Sequence, residues 1–126
     1  MPFTTLGLRP ELLDAIKALG YESPTPIQAK SLPESLAGKD VIGSAQTGSG
    51  KTMAFTMPML SRLMADREAE GGVGKGLRVR ALVLTPTREL ATQVERAITE
   101  LAKFSPVKCV LVIGGASYHT QTQDLK

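Results

Sequence analysis

The string Ala45-Gln46-Thr47-Gly48-Ser49-Gly50-Lys51-Thr52 restricts this chain more than any other feature. It follows the short apolar run Asp40-Val41-Ile42-Gly43-Ser44 and opens a helix-compatible run over 53–67. A strand, a glycine-rich loop and a helix, in that order, form a cradle for nucleotide phosphates. The glycines let the backbone curl so that several N–H groups point at one anion, and the helix adds its positive N-terminal end. The expected phosphate contacts run from Thr47 to Met53, with backbone N–H groups from Gly48, Ser49 and Gly50. Lys51 is placed to reach the β- and γ-phosphates, and the Thr52 hydroxyl to hold Mg²⁺. One position departs from the general pattern, which asks for Gly where this chain has Ala45.

A second glycine-rich stretch, Gly71-Gly72-Val73-Gly74-Lys75-Gly76, comes after a helix and before a strand. That order is wrong for a phosphate loop, and Gly76 stands where a hydroxyl should follow the lysine. It reads as a flexible surface connection.

The 126 residues suffice for one domain with a core. Trp is absent and only 4% of residues are aromatic, so that core must be aliphatic. The net charge of +3 permits a polyanionic partner without demanding one. With one Cys and one His there is no metal-ligand cluster. Cys109 lies in an apolar run and reads as a buried thiol of a reducing, cytoplasmic compartment. His119 lies in a polar stretch and reads as solvated. No signal peptide and no run of membrane-spanning length is visible, so no membrane partner is expected.

Helical periodicity is expected over 10–19, with Leu12, Leu13, Ile16 and Leu19 on one face, and again after the turn Ser23-Pro24-Thr25-Pro26, through Ile27, Leu32 and Leu36 until Gly38-Lys39 ends it. A third helix runs over 51–67, kinked rather than ended by Pro58. A fourth spans 89–103, with Leu90, Ala91, Val94, Ala97, Ile98 and Leu101 as its apolar stripe. Three segments, 41–44, 79–84 and 109–113, are apolar almost throughout, as strands buried on both faces are. Strands alternating with helices imply parallel βαβ units with ligands beyond the carboxyl ends of the strands. The loops that begin at Ala45, Thr85 and Gly114 should therefore share one edge.

Several motifs now converge. Gly20-Tyr21-Glu22-Ser23-Pro24-Thr25-Pro26-Ile27-Gln28, with Phe3 seventeen residues upstream of Gly20, resembles the adenine-recognising segment of DEAD-box RNA helicases. The phosphate loop resembles that family's own, which has Ala where the general motif has Gly. Pro86-Thr87-Arg88-Glu89-Leu90-Ala91 resembles the motif that grips the RNA backbone, and Gly114-Gly115 the next one. The resemblance implies an α/β, three-layer RecA-like (P-loop NTPase) parallel sheet flanked by helices, here truncated. Residues 1–38 are expected to form the helical adenine-recognition segment, and 39–126 a partial ATP-binding helicase domain. The family's Asp-Glu-Ala-Asp and Ser-Ala-Thr motifs and its second RecA-like domain are not in this sequence, which reads as an N-terminal fragment. The parent is expected to couple ATP binding and hydrolysis to RNA binding and duplex unwinding, through both domains.

The resemblance also distributes roles. Gln28 reads adenine by donating and accepting against its N6/N7 edge, and Tyr21 stacks on the ring. Ser23 belongs to the same segment, Thr25 supports the phosphate loop or caps a helix, and Phe3 touches the base or packs beneath it. Pro86, Thr87, Arg88, Gly114 and Gly115 meet RNA phosphates without reading sequence. Two other readings stay open. A P-loop kinase or GTPase leaves Pro-Thr-Pro-Ile-Gln unexplained and lacks a guanine-reading motif. A non-catalytic module binds nucleotide or RNA without turnover.

Overall fold

The computed structural model of the chain describes residues 2–46, 50–69 and 79–113. These residues form a 3-10 turn, Phe3–Thr5, and four α-helices: α1 Pro10–Ala18, α2 Pro26–Leu36, α3 Lys51–Ala69 and α4 Arg88–Leu101. The termini of the helices follow from local chemistry. Proline stands in the first turn of α1 and of α2, where its fixed φ suits a helix and its missing N–H has no intrahelical acceptor to lose. Both helices end in the same closed motif. Gly20 follows α1 at φ +84°, its N–H bonding Lys17 O at 3.0 Å while the Tyr21 N–H reaches Ile16 O at 3.3 Å. Gly38 follows α2 at φ +84°, with Gly38 N–H on Ser35 O at 3.0 Å and Lys39 N–H on Glu34 O at 3.2 Å. Glycine takes this left-handed turn without strain, and the two bonds satisfy carbonyls that a helix end otherwise leaves bare.

Helix α3 is the central element: it packs against α1, α2 and α4, and α1 also meets α4. Its Met57, Leu60 and Met64 are buried with Leu12 and Ile16 of α1, Leu32 of α2, and Val94, Ile98 and Leu101 of α4. Phe3 and Leu8 close the N-terminal end of this cluster. Each fully buried aliphatic side chain contributes about 1.5–3 kcal/mol. The exposed pair Lys39–Glu34, at 2.9 Å, contributes at most about 1 kcal/mol, so packing and not surface charge holds the helices together. Helix α3 continues through Pro58, as the sequence predicts, and ends at Ala69, two residues beyond the expected 67. The stripe predicted for the fourth helix buries Val94, Ile98 and Leu101, although the helix itself starts at Arg88 and stops at Leu101.

The segments 41–44, 79–84 and 109–113, expected as strands, form neither helix nor strand among the described residues. The expectation of burial on both faces is also unmet there. Val83, Val107 and Cys109 pack against the helical core. Their neighbours are open: Leu82 is 78% exposed, Leu84 84% and Val112 59%. Ile42 is fully exposed. The alternation is that of a surface covered on one side, because among the described residues no helix covers the other. Cys109 is half-buried rather than fully enclosed. Burial, with a further contribution from Glu95, pushes its thiol pKa up. The stretch 71–76 and His119 lie outside the described residues.

Candidate functional site

The N-terminus of α2 and the N-terminus of α3 meet at one point, and three side chains make the meeting. Thr25 is the N-cap of α2 and Gln28 its third helical residue, so the sequence Thr-x-x-Gln forms a capping box. Within it, the Gln28 amide oxygen Oε1 accepts the Thr25 backbone N–H at 3.0 Å. The same amide turns its Nε2 outward from α2 and donates to the carbonyl oxygen of Gly50 at 3.1 Å. Gln28 is 3% exposed. Its orientation is fixed by chemistry: a flipped amide sets donor against donor at Thr25 and acceptor against acceptor at Gly50. Thr25 Oγ1 is buried beside it without a well-formed hydrogen bond.

Gly50 is required at this contact on two counts. Its φ is +89°, a backbone conformation that side chains with a Cβ adopt at a cost. A Cβ placed there would lie 2.5 Å from Gln28 Nε2 and 2.8 Å from Thr25 Oγ1. Only a residue without a Cβ lets the α2 terminus close on the turn that precedes α3. The first turn of α2 also packs on the approach to the loop, since a Cβ on Gly43 would sit 3.4 Å from Ile27 Cδ1.

Lys51 then begins α3 with its side chain exposed. Thr52 is half-buried, and its carbonyl accepts the Thr56 hydroxyl at 2.8 Å, with Thr56 fully buried. Met53 is half-buried and packs against the core. Thr47, Gly48 and Ser49 lie outside the described residues, as do Gly114 and Gly115. Tyr21 is 50% exposed directly after the turn that ends α1, so its ring is not a core side chain. Ser23 is exposed. Phe3 is 5% exposed and belongs to the core, which puts it among the residues beneath the surface rather than on it.

The second cluster of predicted residues caps α4. Thr87 is the N-cap, its Oγ1 accepting the Leu90 N–H at 3.2 Å, and Thr85 Oγ1 donates to the Thr87 carbonyl at 3.1 Å. Pro86, Thr87 and Arg88 are all exposed there. A helix N-terminus with an exposed arginine in its first turn presents positive charge to an anion. Among the described residues no group of three or more His, Cys, Asp or Glu side chains is placed to hold a metal ion. No helix among them is long and apolar enough to cross a membrane.

Two contacts escaped the sequence reading. The bond from Gln28 to Gly50 joins residues 22 apart, and no local periodicity reports it. The signal that could have found its first half is the Thr25-x-x-Gln28 spacing, which is that of a capping box. The hydrogen bond from the Arg9 backbone N–H to Ser61 Oγ, at 3.2 Å, left no sequence signal.

Comparison with known proteins gives the same picture from three directions. The family model described as DEAD/DEAH box helicase matches residues 25–126. Over 124 residues the chain is 47% identical to DEAD-box ATP-dependent RNA helicase 28 of Oryza sativa subsp. japonica, covering 98% of this chain and 15% of that protein. It is 44% identical over 123 residues to the ATP-dependent rRNA helicase RRP3 of Kluyveromyces lactis, covering 98% of this chain and 23% of the relative. Among solved structures, the RNA-helicase Prp28 from Chaetomium thermophilum bound to ADP aligns with a TM-score of 0.83 at 38% identity, over 96% of this chain and 28% of that one. A DEAD box protein from Methanococcus jannaschii aligns with a TM-score of 0.85 at 35% identity, over all of this chain and 32% of its own. The chain thus spans less than a third of each of these relatives.

Proposed function

The chain belongs to the DEAD/DEAH box helicase family, and on that premise we propose that it forms the adenine- and phosphate-binding part of an ATP-dependent RNA helicase. The observation that carries this reading is the bond from the Gln28 amide to the carbonyl of Gly50. It ties the segment that would read a base to the turn that would hold phosphates. The Gln28 amide has two donors and two acceptor lone pairs, and the bonds to Thr25 and Gly50 use one of each. One N–H and one lone pair remain, the complement of an adenine edge. Tyr21, exposed beside this segment, supplies a ring face, with Ser23 nearby in sequence and Phe3 beneath in the core.

In this reading 1–38 forms the adenine-recognition segment and 39–126 a part of a RecA-like domain whose parallel sheet includes 41–44, 79–84 and 109–113. Thr47, Gly48, Ser49, Gly50 and Met53 contribute to the phosphate cradle. Lys51 neutralises the β- and γ-phosphates, and the Thr52 hydroxyl is the ligand this chain offers to a nucleotide-bound Mg²⁺. An exposed lysine and a half-buried threonine in the first turn of a nineteen-residue helix suit those roles. Pro86, Thr87 and Arg88 at the start of α4, with Gly114 and Gly115, contact an RNA backbone without reading sequence. A second RecA-like domain completes the ATPase, and the setting is the cytoplasm. Titration calorimetry with ADP and GDP tests the core of the proposal. Tighter binding of ADP, lost in Gln28→Ala, is expected. Equal affinity for the two nucleotides refutes it.

A further inference from the structure

We infer that Ser61 is a positioning residue for adenine: it sets where α1, and with it Tyr21, stands relative to the phosphate-binding turn. The inference rests on the nucleotide reading above and adds to it a residue outside every motif that the reading uses.

Helix α1 lies on α3 mainly through apolar side chains. Leu12 and Ile16 pack into the cluster that holds Met57, Leu60 and Met64. Interdigitated side chains limit how far one helix slides along the other, but small shifts along the axis cost them little beside the loss of a directional bond. A directional bond fixes register. The Arg9 backbone N–H donates to Ser61 Oγ at 3.2 Å across 52 residues of sequence. Ser61 is 5% exposed, so water does not replace that acceptor freely. Arg9 is the N-cap of α1, with extended φ −63° and ψ 145°. Its N–H precedes the helix and has no intrahelical acceptor.

The bond therefore acts at one end of a short, stiff rod. At the far end of α1, about 14 Å away by helical rise, the Gly20 turn is closed by Gly20 N–H to Lys17 O and Tyr21 N–H to Ile16 O. That closure transmits the position of α1 to the Tyr21 backbone. On the other side, Ser61 is ten residues along α3 from Lys51, about 15 Å by the same rise. The separation between the base platform and Lys51 thus depends on two helices, their shared apolar packing and the hydrogen bond between them. Loosening the bond leaves the phosphate turn intact, because Gly50 is held by Gln28 from α2, and it reduces the fraction of molecules in which ring and phosphates are correctly spaced.

The bond can be removed from either partner. Ser61→Ala deletes the acceptor. Arg9→Pro deletes the donor, and the φ of Arg9 matches that of proline. Calorimetry with ADP and with inorganic pyrophosphate reads the two halves of the site separately. Each single variant is expected to weaken ADP about three- to fivefold with pyrophosphate changed less than twofold, and the double variant is expected to be no weaker than either single one. Equal loss for both ligands means general loosening of the fold and overturns the inference. So does ADP affinity within twofold of the parent chain, and so does a double variant whose losses multiply. A parent chain that binds ADP no better than pyrophosphate overturns the adenine reading itself, and the role of Ser61 with it.

Discussion

Replacing Gly50 by alanine should destabilise the chain through Gln28, and a double-mutant cycle separates that route from the others. Alanine at φ +89° costs about 1–2 kcal/mol by itself. Its Cβ, 2.5 Å from Gln28 Nε2, forces the amide aside. That movement breaks the bonds to Gly50 O at 3.1 Å and to Thr25 N–H at 3.0 Å, each contributing about 0.5–1.5 kcal/mol. Gly50→Ala should therefore cost about 3–4 kcal/mol. Gln28→Ala loses the same two bonds from a side chain 3% exposed and leaves Thr25 N–H and Gly50 O unpaired, again about 2–4 kcal/mol. With both changes present the clash with the amide is gone. What remains of the Gly50 effect is the φ term and the contact with Thr25 Oγ1 at 2.8 Å, about 1–2 kcal/mol. The double variant should then be more stable than the sum of the single losses implies by about 1.5–2 kcal/mol, well beyond the scatter of independent sites. Urea unfolding followed by far-ultraviolet circular dichroism measures it, since the sequence has no Trp to report. Additivity within about 0.5 kcal/mol would refute the argument that Gly50 is constrained by Gln28.

Three further outcomes follow from the site and its supports. Lys51→Ala should leave the unfolding midpoint nearly unchanged, because the side chain is exposed, while weakening ADP by about 1.5–3 kcal/mol, the scale of a charged hydrogen bond; an unchanged ADP affinity in calorimetry counts against its role. Thr87→Ala removes the acceptor for the Leu90 N–H and should cost about 1 kcal/mol of stability that Thr87→Ser largely restores, read by the same urea assay. The Cys109 thiol pKa is raised by burial and by Glu95, so in the unfolded chain it ionises first as pH rises; its contribution is present below the ordinary thiol pKa and is lost as pH rises through the raised folded value. Stability measured across that range should fall, and Cys109→Ala should flatten that part of the profile.

The helices were legible because their signals are local. Pro10 marks a start, the turn Ser23-Pro24-Thr25-Pro26 launches the second helix, Gly20 and Gly38 mark ends, and the stripe from Leu90 to Leu101 has helical period. The boundaries that moved did so at caps: the fourth helix starts at Arg88 because the Thr87 hydroxyl takes the Leu90 N–H, one residue earlier than the apolar pattern implies. The 3-10 turn Phe3–Thr5 left no periodic trace, being one turn long. Its Phe3 ring reads as an isolated aromatic in the sequence and is buried in the folded chain, in the same core cluster as Leu8 and Leu12.

The apolar segments show where reading by composition stops. Cys109, Val110, Leu111, Val112 and Ile113 are indistinguishable by hydropathy, yet Cys109 packs on the helices while Val112 is 59% exposed. A continuous apolar run says that both faces suit a dry environment, and it does not say which face the rest of the described chain covers. The site has the same limit in sharper form. The sequence identified Gln28 and Gly50 separately, one as a base reader and one as a loop glycine, because each belongs to its own local motif. That the amide of one is the hydrogen-bond donor to the carbonyl of the other depends on α2 lying against α3. That packing is decided by Leu32, Met57 and Leu60 in the shared core, none of which carries any chemistry of its own.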